Sequence, residues 1–226
     1  MKKKLTLLVA FVLVFALGVA GTFAYLTSSA TVTNTFTVGN VQIKLDETAV
    51  DEMGNATNDG RLEKGNAYHL LPGHTYTKDP VVTVKAGSEN SYVRMLVTVS
   101  DISKVKATFT DSKYYTADGQ YFLLETLVGG WDSSVWSCKS IVETTDQETN
   151  VTSATYEFRY NTTVDGFNEK GEKADDVLPA LFTSIVIPGD VDNTALANLN
   201  QVSIDVVAQA IQADGFSGAT DAWSHF

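Results

Sequence analysis

Tyr92-Val93-Arg94-Met95-Leu96-Val97-Thr98-Val99-Ser100 is the stretch that decides the fold. Val93, Met95, Val97 and Val99 recur at every second position, which is the period of a strand that buries one face. The same pattern predicts strands at Val81–Lys85, Lys106–Thr110, Gln120–Leu127, Val135–Val142, Ala154–Thr162, Leu181–Ile187 and Val202–Ile211. The last is also compatible with a helix near Val207–Ile211, because alanine and glutamine commit weakly to either state. Upstream, Val41, Ile43 and Leu45 alternate with Gln42 and Lys44, and residues 46–67 read as a long acidic loop rich in Gly, Asn and Asp. Short helices are predicted at Asp192–Leu199, with Asn193 as the cap, and at Ala219–Trp223. Many short strands between turn-forming clusters describe an all-β domain, a jelly-roll-like β-sandwich with one or two short helices.

The N-terminus speaks for export. Lys2, Lys3 and Lys4 precede the apolar run Leu5–Ala20, and Gly21-Thr22-Phe23-Ala24 supplies small residues where a signal peptidase reads the chain. The apolar run falls short of the ~20 residues that cross hydrocarbon comfortably, and no basic cluster follows it. The expectation is a signal peptide over residues 1–24, cleaved between Ala24 and Tyr25, and one β-sandwich domain over 25–226, without a stable membrane span after processing. Cleavage removes three lysines and no acid, so the formal charge of −11 becomes −14. Such a chain repels phosphate backbones, which argues against nucleic acid as a partner. Cys138 is the single cysteine, so the fold relies on its core rather than on intrachain disulfides.

Thr31-Val32-Thr33-Asn34-Thr35-Phe36-Thr37-Val38 has threonine at every odd position. β-Branched threonine suits a solvated strand face. Ala30, Val32, Phe36 and Val38 would offer alternate apolar side chains to a neighbouring sheet edge, with Asn34 a polar exception. No proline occurs between Tyr25 and Leu71, so every main-chain donor there is available. The segment 25–38 is therefore a candidate donor strand. The same pattern fits the first strand of its own domain equally well, and pairing in cis or in trans stays open.

Chemistry-bearing motifs are few. There is no His-Glu-x-x-His, Gly-x-Ser-x-Gly or Walker loop. His69 and His74 flank Pro72-Gly73 and so belong to a turn rather than to one helical face. Ser103-Lys104-Val105-Lys106 has Ser-x-x-Lys spacing without the elements that accompany it in acyl transferases. No catalytic residue is assigned, and no cofactor beyond a weak case for calcium. Asp46, Asp51, Glu52 and Asp59 crowd one acidic stretch, and hard oxygen ligands suit that ion. Asp190 and Asp192 begin another run, but Ala195 and Gln201 break the EF-hand pattern.

Several segments resemble one family. Gly21-Thr22-Phe23-Ala24-Tyr25-Leu26-Thr27 with Asn34-Thr35-Phe36-Thr37-Val38-Gly39-Asn40-Val41 is similar to the start of TasA/camelysin proteins. Lys78-Asp79-Pro80-Val81-Val82-Thr83-Val84, Ser91-Tyr92-Val93-Arg94-Met95 and Ala210-Ile211-Gln212-Ala213-Asp214-Gly215-Phe216 agree with it, whereas the centre from Lys104 to Asp176 carries no family signature. The resemblance implies a Gram-positive bacterial origin, processing by a SipW-type signal peptidase and a jelly-roll-like fold. It also implies a place in the extracellular matrix or at the cell surface. Its functional implications diverge. One is a secreted structural subunit of the biofilm matrix, forming or joining fibres with itself or related subunits by β-strand addition. Another is a cell-surface metalloendopeptidase, and a third is a non-polymerising accessory or adhesin domain.

Overall fold

The computed structural model describes residues 40–111 and 127–226. Its strands in chain order are β1 (Ile43–Val50), β2 (Ala56–Leu62), β3 (Thr75–Thr77), β4 (Val81–Val84), β5 (Ser91–Val99) and β6 (Val128–Gly129). They continue with β7 (Trp136–Thr145), β8 (Thr152–Tyr160), β9 (Asp176–Val177), β10 (Ser184–Val186) and β11 (Ile204–Gln212). The helices are α1 (Ile102–Thr108), α2 (Asn193–Leu196), a 3₁₀ turn at Ala197–Leu199, and α3 (Ala219–Trp223).

Alternation builds the largest sheet. Val93, Met95, Val97 and Val99 on β5 are all buried, as are Ala154, Tyr156 and Phe158 on the antiparallel neighbour β8. β7 and β11 complete the order β11-β5-β8-β7. A second sheet runs β2-β1-β4-β9 and a third β3-β10-β6, and every described pairing is antiparallel. Tyr76, Val82 and Val84 from the smaller sheets meet the inner face of the largest in one core with Trp136 and Phe182. The all-β sandwich with short helices is thus the observed class. Val202–Ile211 resolves as a strand, paired with β5 along all of β11.

Three expectations are corrected. Residues 46–67 are not a loop, because β1 continues to Val50 and returns as β2. The turn is closed by Asp51, whose carboxylate accepts from the N–H groups of Met53 and Asn55. Gly54 takes φ 79° there, and a Cβ at that position would lie 2.7 Å from Tyr76 Cα, so a side chain has neither the backbone nor the space. β2 is polar and exposed, so pairing with β1 and not an apolar face makes it a strand. Lys106–Thr110 is not a strand either. Ile102, Val105 and Thr108 are buried at helical spacing, and Asp101 caps α1 by accepting from Lys104 N–H at 3.2 Å. Finally, Asp192 and not Asn193 caps α2, accepting from Ala195 N–H at 2.7 Å. The predicted strand at Leu181–Ile187 shortens to Ser184–Val186, while Thr31–Val38 and most of Gln120–Leu127 lie outside the described residues.

The chain ends on the outer face of the largest sheet. There α3 brings Trp223 under the Arg94 guanidinium, 4.2 Å from the ring centroid, with Phe226 at 5.1 Å. Arg94 is held from below by Gln209 of β11 and Glu157 of β8.

Candidate functional site

The acidic stretch is built on β1, where successive side chains point to opposite faces. Asp46 and Glu47 are both buried, but each meets a different cation. Asp46 is paired with Arg61 and with Lys44 at 3.0 Å. Arg61 reaches on to the Asp79 carboxylate at 2.7 Å and the Asp79 carbonyl at 2.8 Å, and Asp79 accepts from Thr48 N–H. Burial pushes the Asp46 carboxyl up, but hydrogen bonds from Arg61 and Lys44 outweigh it and leave the group below the usual carboxylate range. Glu47 binds Lys78 at 2.8 Å and accepts from the backbone and side-chain amides of Asn66.

The calcium candidates are therefore not brought together. Asp46 is engaged by Arg61 and Lys44, Asp51 closes the β1–β2 turn, Asp59 accepts from Thr57, and Glu52 is exposed. Among the described residues no group of three or more His, Cys, Asp or Glu side chains is arranged to hold a metal ion. His74 Nε2 bonds the Met53 carbonyl at 2.8 Å, His69 is exposed, and His225 sits beside Asp221 at the C-terminus. Burial raises the Cys138 thiol to about 11, which suits a packed side chain and not a nucleophile.

Two features of the described molecule remain open. One is a sheet edge. β7 is guarded by a bulge between Cys138 and Ser140, β2 by its polar side chains, and β3, β6 and β9 by their shortness. β11 has none of these devices. It runs nine residues without proline or bulge, and among the described residues it pairs on one side only, with β5. β1 approaches it from the second sheet without hydrogen bonding. Val206, Ala208 and Ala210 lean on the core, while Val207 is 51% exposed.

The other is a cavity of about 870 Å³. Val97 of β5, Leu196 of α2, and Phe109, Leu127, Phe182 and Ile187 from the connecting segments give it apolar walls. Asn66, Tyr68 and Lys78 supply polar groups on one wall, and Ser203 and Asp205 stand where β11 begins. Burial raises the Tyr68 hydroxyl far above its ordinary range, with the Glu47 charge adding to it, so it stays protonated and donates to the Thr77 carbonyl at 2.9 Å. Nothing in the sequence marked Arg61, Asn66 or Tyr68, because they sit in a turn-rich stretch without periodicity. Lys78 and Asp79 stood out only as part of a resembling segment.

With that geometry in place, residues 1–64 match the family described as camelysin metallo-endopeptidase. Over those residues the resemblance to the TasA/camelysin family is borne out. No curated protein and no solved structure matches the chain. The metal implied by that description is not accommodated by the described residues, whose histidines and carboxylates are dispersed in turns and ion pairs. Ala24 and Tyr25, and the strand-donor candidates Ala30, Val32, Phe36 and Val38, lie outside the described residues. No helix among the described residues is long and apolar enough to cross a membrane.

Proposed function

We propose that the chain is an exported structural subunit of the extracellular or biofilm matrix, forming or joining fibres by β-strand addition with itself or with related subunits. The carrying observation is the edge of β11, nine residues long and paired on one side only among the described residues. Ala30–Val38 also spans nine residues, so at ~3.3 Å per residue both are about 30 Å long. A donor strand supplies main-chain hydrogen bonds to such an edge and alternate apolar side chains to the core beneath it. On this reading a SipW-type peptidase releases the mature N-terminus at Tyr25, and the protein acts in the matrix or at the cell surface. Deleting Tyr25–Val38 is expected to leave a secreted, folded monomer by light scattering, with no filaments in electron micrographs. Filaments of normal length in that deletion would remove the donor strand from the proposal.

The family description favours a second reading, a cell-surface metalloendopeptidase. Cleavage of casein by pure protein, abolished by a chelator and restored by metal, would bring that reading forward.

A further inference from the structure

We propose that the cavity between the sheets binds a neutral, lipid-like small molecule: an apolar body carrying an oxygen that accepts a hydrogen bond from Lys78. Its volume, about 870 Å³, falls within the range of small-molecule sites. Its walls follow the pattern of such sites, apolar over most of their area with a few polar groups at one place.

Lys78 defines the polar end. It lines the cavity, is 5% exposed, and carries three N–H donors. Among the described residues one of them is taken, by Glu47 Oε2 at 2.8 Å. A buried ammonium with donors to spare is satisfied by an acceptor delivered into the cavity. Tyr68 does not compete, since its hydroxyl is committed to the Thr77 carbonyl.

Charge selects the ligand class. Glu47 already neutralises Lys78, and Lys78 is the single lysine or arginine among the lining residues, which also include His69 and, on the opposite side of the balance, Asp205. A carboxylate or phosphate brought here would be an uncompensated anion taken out of water, which desolvation disfavours. An alcohol, ester or ketone oxygen fills the same donors without that cost. The apolar walls then take an alkyl body. The cavity offers side chains to a ligand where the β11 edge offers main-chain groups to a strand, and the two adjoin at Ile204 and Asp205.

The test uses the full chain with Nile red, a neutral apolar dye bearing a carbonyl oxygen, displaced in turn by 1-decanol, decane and decanoate. The expected result is saturable 1:1 dye binding, with decanol competing at least tenfold better than either decane or decanoate. Val202→Phe, which fills the cavity from a half-buried position, should abolish the saturable component while circular dichroism stays native. Lys78→Met combined with Glu47→Gln removes both charges together, so no partner is stranded, and decanol should lose its advantage over decane. Dye binding unchanged in Val202→Phe would overturn the site. Equal competition by decanol and decane against the unmodified protein would overturn the role of Lys78, and stronger competition by decanoate would overturn the neutral class. These last two outcomes need no variant to fold.

Discussion

Arg61 ties three parts of the chain together: Asp46 on β1, Asp79 before β4, and its own strand β2. Two of these partners are carboxylates, and Asp46 is held below the usual carboxylate range by the pairing. A depressed carboxyl contributes stability that is fully present above its unfolded value, near 4, and is lost as the pH falls through the folded value. Arg61→Gln is therefore expected to cost about 1.5–3 kcal/mol at pH 7, the range for hydrogen bonds to a charged group. The gap between variant and parent melting temperatures should close as the pH is lowered from 4 toward 2. A gap that stays constant across that range would show that Arg61 acts through packing of its stem and not through its charge. None of this was visible in the sequence. Asp46 and Asp59 look alike there, yet one is buried in an ion pair on β1 and the other sits exposed on β2.

Elements whose side chains report burial were legible, and those shaped by pairing or capping were not. β5 and β8 alternate cleanly because one face of each lies against the core. β2 carries no such pattern, since it is an edge strand exposed along most of its length, and its turn depends on one carboxylate and one glycine. Within Lys104-Val105-Lys106-Ala107-Thr108, Val105 and Thr108 stand three apart, and a window starting at Lys106 hides the helical spacing from Ile102. The lack of a second partner for β11 among the described residues is likewise a property of neighbours and not of composition. Lysine on an edge strand discourages addition of another strand. The double variant Asp205→Lys, Val207→Lys changes two exposed positions of β11. It is expected to slow filament growth at least severalfold while leaving the melting temperature within a few degrees of the parent. Unchanged growth would move the proposed acceptor away from β11.

Across the molecule the three sheets share one core, with Trp136, Tyr76, Tyr156 and Phe158 among its largest buried side chains. A single core implies a single cooperative unfolding transition. Phe158→Ala should cost ~3–5 kcal/mol, with near- and far-ultraviolet circular dichroism losing signal at the same midpoint. Two separated midpoints would mean that the sheets unfold independently. The fold class was legible at this scale because burial alternates in most of the long strands. The cavity was not, because its walls come from residues spread between positions 65 and 205.

Trp223 beneath Arg94 has a use beyond holding the last helix. The chain contains three tryptophans, and Trp136 and Trp223 are buried in different places, one inside the core and the other under a guanidinium on the outer face. Indole emission moves to longer wavelength when the ring meets water. The C-terminus thus carries its own optical gauge, and a Trp131→Phe, Trp136→Phe background, which leaves Trp223 as the sole indole, would let fluorescence follow seating of the tail with no label attached.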